Sequence, residues 1–282
     1  MPIRLFKHSC NWLLRAALML CAAVAVLAAL IIIVMRYWLL PDIERYHDKI
    51  TNSLSGAIGN PVTIGKIEGD WQGLQPSIKL TDVRILDAQK QPAIALPTIS
   101  TRLSWKTVWA GELRFARIEI DRPELMINRD AHGKIFVGGI AISTQGNDSQ
   151  LSSWLLHQPH IVADNALLVW IDELRDAPPL VMRQVNVRIQ NSLSRHRFAV
   201  RALPPEELAT PLDVRGEFRG SDVAKLNEWQ GQIFTQLDYT DVSAWKPWLN
   251  LPQEFSRGRG ALRGWLGIQE GKLAHITADM DL

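Results

Sequence analysis

Residues Ala16 to Met35 read AALMLCAAVAVLAALIIIVM, without a charge between Arg15 and Arg36. At about 1.5 Å per residue this run is about 30 Å long, the hydrocarbon thickness of a bilayer. Its backbone groups must be satisfied internally, so it forms a helix. Trp12, Tyr37 and Trp38 flank it, where amphipathic rings favour the membrane interface. A cleaved signal peptide has a shorter apolar core and a small-residue cleavage site. Here Arg-Tyr-Trp-Leu-Leu-Pro follows instead, which predicts an uncleaved anchor. The span predicted is residues 16–36, behind a basic end at 1–15.

Charge orients the span. Arg4, Lys7, Arg15 and Arg36 stand in the first 36 residues without one acid. The positive-inside rule places the N-terminus in the cytoplasm and the bulk beyond the membrane, in the periplasm if the cell is a bacterium. Past residue 36, 27 basic residues meet 29 acidic ones. That balance lacks a basic run and argues against a nucleic-acid partner. Both cysteines, Cys10 and Cys21, lie in or beside the anchor, so the exported part has no thiol to oxidise. The sequon Asn147-Asp148-Ser149 matters only in a eukaryotic secretory path.

Beyond the span, Ile43, Tyr46, His47, Ile50, Leu54 and Ile58 keep the spacing of one apolar helical face. A helix over 41–60 is expected, stopped by Pro61, either at the membrane surface or capping the start of a sheet. From Val62 the period changes to two. Val62 and Ile64, Ile78 and Leu80, Ile118 and Ile120, Leu167, Val169 and Ile171, and Val185, Val187 and Ile189 alternate, and the series runs to Leu282. Alternation predicts strands with one buried and one wet face, hence an antiparallel sheet. Slips, as between Leu80 and Val83, predict bulges that curve it. Short helices are expected at Trp105–Ala110, Ser149–His157, Asp222–Trp229 and Ser243–Leu249. The class is mainly β: an N-terminal transmembrane helix, then a curved antiparallel β-sheet with short connector helices over 61–282. The last strand stops without a turn, so the sequence is read as a piece of a longer protein.

Chemistry-bearing motifs are scarce. His157-Gln-Pro-His160 is broken by Pro159 and has no third ligand nearby, which makes it a turn rather than a metal site. Gly59 to Lys66 has the wrong spacing for a phosphate loop, and Ile67 stands where a hydroxyl is needed. Asp172 and Glu173 point to opposite faces of a strand and are read, with Arg175 and Asp176, as a solvated strand end. No catalytic, metal or cofactor residues are assigned. An envelope hydrolase would need a polar pocket that the spacing does not supply. The tryptophans of the exported part, Trp71 to Trp265, are read as packing at strand ends and connectors, or as a rim along an apolar channel.

Three stretches carry a resemblance. The first is the basic end, the span, a helix, and VTIGKIEGDWQGLQP at 62–76 leading to LTDVRILD at 80–87. The second is IEIDRPEL at 118–125 with DAHGKI at 130–135. The third is VWIDE at 169–173, PPL at 178–180, HRF at 196–198 and LPP at 203–205. In these the chain resembles the AsmA-like envelope proteins, most closely their YhdP branch, over nearly its whole length. The resemblance implies an inner-membrane anchor and a periplasmic trough of repeated β units. Its apolar face would let phospholipid acyl chains slide toward the outer membrane, without catalysis and without a cofactor. The partners implied are membrane phospholipids and other envelope proteins. Expected groove residues are Ile118, Ile120, Leu125, Ile127, Val185, Val187 and Ile189. A closed β-sandwich gives the same alternation, and then a tethered scaffold for outer-membrane assembly is the reading left.

Overall fold

The protein is described from a computed structural model, which covers residues 3–73, 75–87, 89–105, 115–141, 149–221, 223–249 and 258–281. Helix α1 (Ile3–Val34) opens the chain and continues as a π-turn over Met35–Leu39. Within it, Arg15–Trp38 is long and apolar enough to cross a membrane, and none of it is buried in protein. A 3-10 turn (Ile43–Tyr46) leads into α2 (His47–Ile58). Gly59 ends α2 at φ 84°, where a Cβ would be strained, and its N–H donates to Ser55 O.

Strands then build one 14-stranded sheet. β1 (Val62–Gln72), β2 (Gln75–Leu86), β3 (Pro92–Leu103) and β4 (Phe115–Asp121) follow one another as antiparallel neighbours. β5 (Glu124–Arg129) leaves β4 at a bend where Arg122 has φ 49°, and carries the side branch β6 (Ile135–Val137) and β7 (Ile140–Ala141). Helix α3 (Ser149–His157) carries the chain back to start β8 (His160–Asp172). From there β9 (Ala177–Ser192), β10 (Arg195–Leu203), β11 (Leu212–Arg219), β12 (Gln230–Asp241), β13 (Arg259–Gln269) and β14 (Lys272–Asp281) form an antiparallel meander.

The sheet is mainly antiparallel, as alternation predicts, with one exception. β8 runs parallel to β4 and β5, which lie end to end along it. A half-buried strand alternates in either direction, so the pattern carries no sign of this crossover. The expected helix at Ser149–His157 is present. Those at Asp222–Trp229 and Ser243–Leu249 are 3-10 turns over Val223–Glu228 and Val242–Trp245, and Trp105–Ala110 falls almost wholly outside the described residues.

The slip expected between Leu80 and Val83 is present, and two further ones stand at Asn165 and Gln184. Asp82 (φ 53°), Asn165 (φ 57°) and Gln184 (φ 48°) each stand in the left-handed region between two alternating runs. Asp82 separates Leu80 from Val83, yet Leu80 pairs Ile67 and Val83 pairs Ile64. β1 makes the same step between Ile64 and Ile67, so the apolar side chains keep one face without a bulge here, whereas the register does shift around Asn165 and Gln184.

The outer edge of β1 is closed by side chains from the helical segment. The Ile67 N–H donates to Glu44 Oε2 (3.1 Å), and His47 Nε2 donates to the Ile64 carbonyl (2.9 Å). Gly69 lies so close to this segment that an added Cβ would stand 2.6 Å from the Leu40 carbonyl oxygen. Arg36, at the end of the span, sits over the Trp71 ring at 5.8 Å. Anchor and sheet are therefore joined at the first strand.

Candidate functional site

Directly paired residues of neighbouring strands share a face. The pairing can therefore be followed across the sheet. Ile99 pairs Ile120, which pairs Ala163, then Val187, Val200, Val214 and Thr235. The next row runs Ile118, Ile161, Ile189, Phe198, Gly216, Ile233, Leu266 and Ile276. Leu125 pairs Leu168, and Ile127 pairs Trp170, which pairs Leu180 on the same side. The bulge at Gln184 keeps Val185 with Val187. All the expected groove residues thus lie on one apolar face that continues from β1 to β14.

The cover over that face changes along its length. From β1 to β4 it is roofed. Ile43, Ile50, Leu54 and Ile58 of the helical segment pack with Ile64, Leu80, Val83, Ile85, Leu96 and Ile118 into one core, and Trp154 of α3 leans on it. Thus α2 caps the sheet instead of lying free of it. Ile118, Ile120 and Leu125 belong to this covered end. Val185 and Val187 pack with Ala166, Val200 and Ala202, which are neighbours on the same sheet face. Ile127 and Ile189 are half-buried and belong to none of these clusters.

From β9 onward the middle of the face is half-exposed. Val187, Ile189, Phe198, Val200, Val214, Ile233 and Leu266 are neither buried nor fully exposed, and Ile276 on β14 is 63% exposed. No second sheet is present among the described residues. Walls rise at the strand ends. At one end Leu208 and Ala209 pack with Trp170, Trp245, Trp248 and Leu237. Trp245 Nε1 donates to Thr240 Oγ1 (2.9 Å) and Trp248 Nε1 to the Pro178 carbonyl (3.0 Å), which fix both indoles. At the other end Trp229 stacks on His196 with centroids 5.2 Å apart. Asn191 Nδ2 donates to the Leu155 and Gln158 carbonyls (2.9 and 2.7 Å), tying α3 to the sheet. Among the described residues the result is a walled trough, roofed next to the anchor and without a covering layer further on.

The opposite face is polar. Arg195 and Arg197 both donate to Glu217; chiefly through the Arg195 hydrogen bond, they hold its carboxyl at about 2 against some desolvation. Arg215, and more weakly Arg201, lower Asp213 in the same way. Ser243 and then Arg259 hold Asp241 at about 2. Exposed pairs of this kind contribute little stability each, yet they keep this face wet.

Asp172 corrects the sequence reading. It is not solvated but 1% exposed. Arg129 donates to it through Nε (2.9 Å) and Nη2, and the Arg175 N–H adds a third bond (3.3 Å). Burial pushes its carboxyl up, but the Arg129 bonds and charge outweigh this and leave it below the usual range. The parallel register aligns Arg129 with Asp172, so the missed crossover is also why the pair was missed. Trp265 is likewise unlike its expectation as rim or core: it lies on the polar face against Phe234, with centroids 5.3 Å apart.

A single apolar helix joined to a one-sided β-trough defines a class of tethered proteins with an apolar lining. The chain belongs to the YhdP family, whose match extends over residues 1–282. No curated protein and no solved structure matches it.

Proposed function

We propose that this chain is anchored in a bacterial inner membrane and carries phospholipid toward the outer membrane along its apolar face, with the bulk in the periplasm. The observation that carries the reading is the face from β9 to β14: mainly apolar, walled at both strand ends and, among the described residues, without a second layer over its middle. A continuous apolar face with half-exposed side chains is the kind of surface that marks a ligand or membrane contact. Acyl chains would cover it, each buried CH2 contributing about 0.8 kcal/mol. Such contact is non-directional, which suits sliding rather than one tight site. Head groups would stay in water beyond the walls. The reading needs no catalytic step and no cofactor.

The test is twofold. Mass spectrometry of lipid extracted from the purified chain should find phospholipid. Val187→Asp and Val200→Asp should remove it and stop phospholipid passage, while the anchor stays inserted. Passage equal to wild type in both variants would reject the assignment of the lining. Absence of bound phospholipid in the wild-type chain would favour a tethered assembly scaffold instead.

A further inference from the structure

The polar face holds a feature that the trough reading does not use. Ala199 faces it from the middle of β10. Its neighbours along the strand, two residues either way, are Arg197 and Arg201. Its partners across the sheet are Arg188 on β9 and Arg215 on β11. One methyl group is thus ringed on four sides by guanidinium-bearing side chains. A cleft of about 480 Å3 opens beside this point; its lining includes Arg188, Arg197, Arg215, Phe234, Trp265 and the Glu217 carboxylate.

The charge is not cancelled. Glu217 accepts from Arg197 and also from Arg195 outside the ring, and Asp213 is shared by Arg201 and Arg215. Arg188 reaches Asp164 only at 4.0 Å. Counting Arg195, five cations meet the three carboxylates Glu217, Asp213 and Asp164, and the excess is positive. Guanidinium forks match phosphate oxygens; the four around Ala199 now meet Glu217, Asp213 and Asp164, and a phosphate would draw them from these exposed pairs. Next to Arg215 in the same row stand Phe234 and then Trp265, which is 37% exposed. An aromatic pair beside an anion site offers a face on which a flat or ring-shaped substituent can stack.

We propose that the Ala199 ring binds the phosphate of a small sugar phosphate from the aqueous side, with the sugar against Phe234 and Trp265. Charge complementarity names the phosphate. The recessed methyl floor favours a group standing alone over the flat surface of a bilayer. The site lies on the face opposite the apolar trough, so it is independent of lipid passage.

The test uses the full chain in uncharged detergent, at low ionic strength, with equilibrium dialysis against labelled inorganic phosphate and glucose 1-phosphate. Both should bind saturably at one site per chain, glucose 1-phosphate the more tightly. Ala199→Glu fills the ring with a carboxylate and should weaken both at least tenfold with the fold retained. Arg188→Gln should weaken both several-fold. Trp265→Ala should remove only the advantage of the sugar. Lack of saturable binding, or equal binding in Ala199→Glu and Arg188→Gln, overturns the proposal. Co-sedimentation with phosphatidylglycerol vesicles that Ala199→Glu abolishes, without binding of glucose 1-phosphate, also overturns it in favour of a membrane surface.

Discussion

Asp172 and Arg129 show how much one pair depends on its surroundings. Asp172→Ala would leave the Arg129 guanidinium, 21% exposed, without its main acceptor. The expected loss is about 3 kcal/mol, because the unpaired charge stays desolvated. Chemical denaturation should show this, and Arg129→Met combined with Asp172→Leu should cost less than the single change. The exposed acids act through pH. Glu217 and Asp241 have folded values of about 2, below their unfolded ones, so they stabilise the fold above the ordinary carboxylate range. That contribution is lost as pH falls from about 4 toward 2. The melting midpoint of the chain in detergent should therefore be level from neutral pH to about 5 and drop below about 4. Replacing Arg195 and Arg197 with Gln should let the Glu217 value return toward its unfolded one, lowering the midpoint at neutral pH and making the acid drop smaller.

At the scale of elements, α2 is the roof of the trough nearest the anchor. Leu54→Ala removes a buried side chain between α2 and the sheet and should cost about 3 kcal/mol in a denaturation series. Gly69→Val tests the junction of anchor and sheet. Its side chain would collide with the Leu40 carbonyl, so limited proteolysis between residues 38 and 47 should become faster while β9–β14 stay protected. The strands themselves were legible because alternation is a local signal. So was the change of apolar phase between Leu80 and Val83, whereas the bulges at Asn165 and Gln184 were not anticipated. The crossover to parallel β8 was not, because direction leaves no mark on a period of two. Asp172 inherited that silence: its partner stands 43 residues back and is aligned only by the crossover.

For the whole molecule, membership of one apolar face was readable residue by residue, from Ile118 to Ile189. What covers each stretch of it was not. The helical spacing of Ile50, Leu54 and Ile58 announces a face to bury without naming the strands that receive it. Alternation in β9–β14 is the same whether a second layer is present or not.

The sheet has unlike margins. Beside the anchor, Glu44 and His47 occupy hydrogen-bonding groups that β1 would otherwise offer to a newcomer. At the far margin, β14 pairs with β13 alone among the described residues. Edge-to-edge pairing is thus hindered on the tethered side, while the free groups of β14 are open to it.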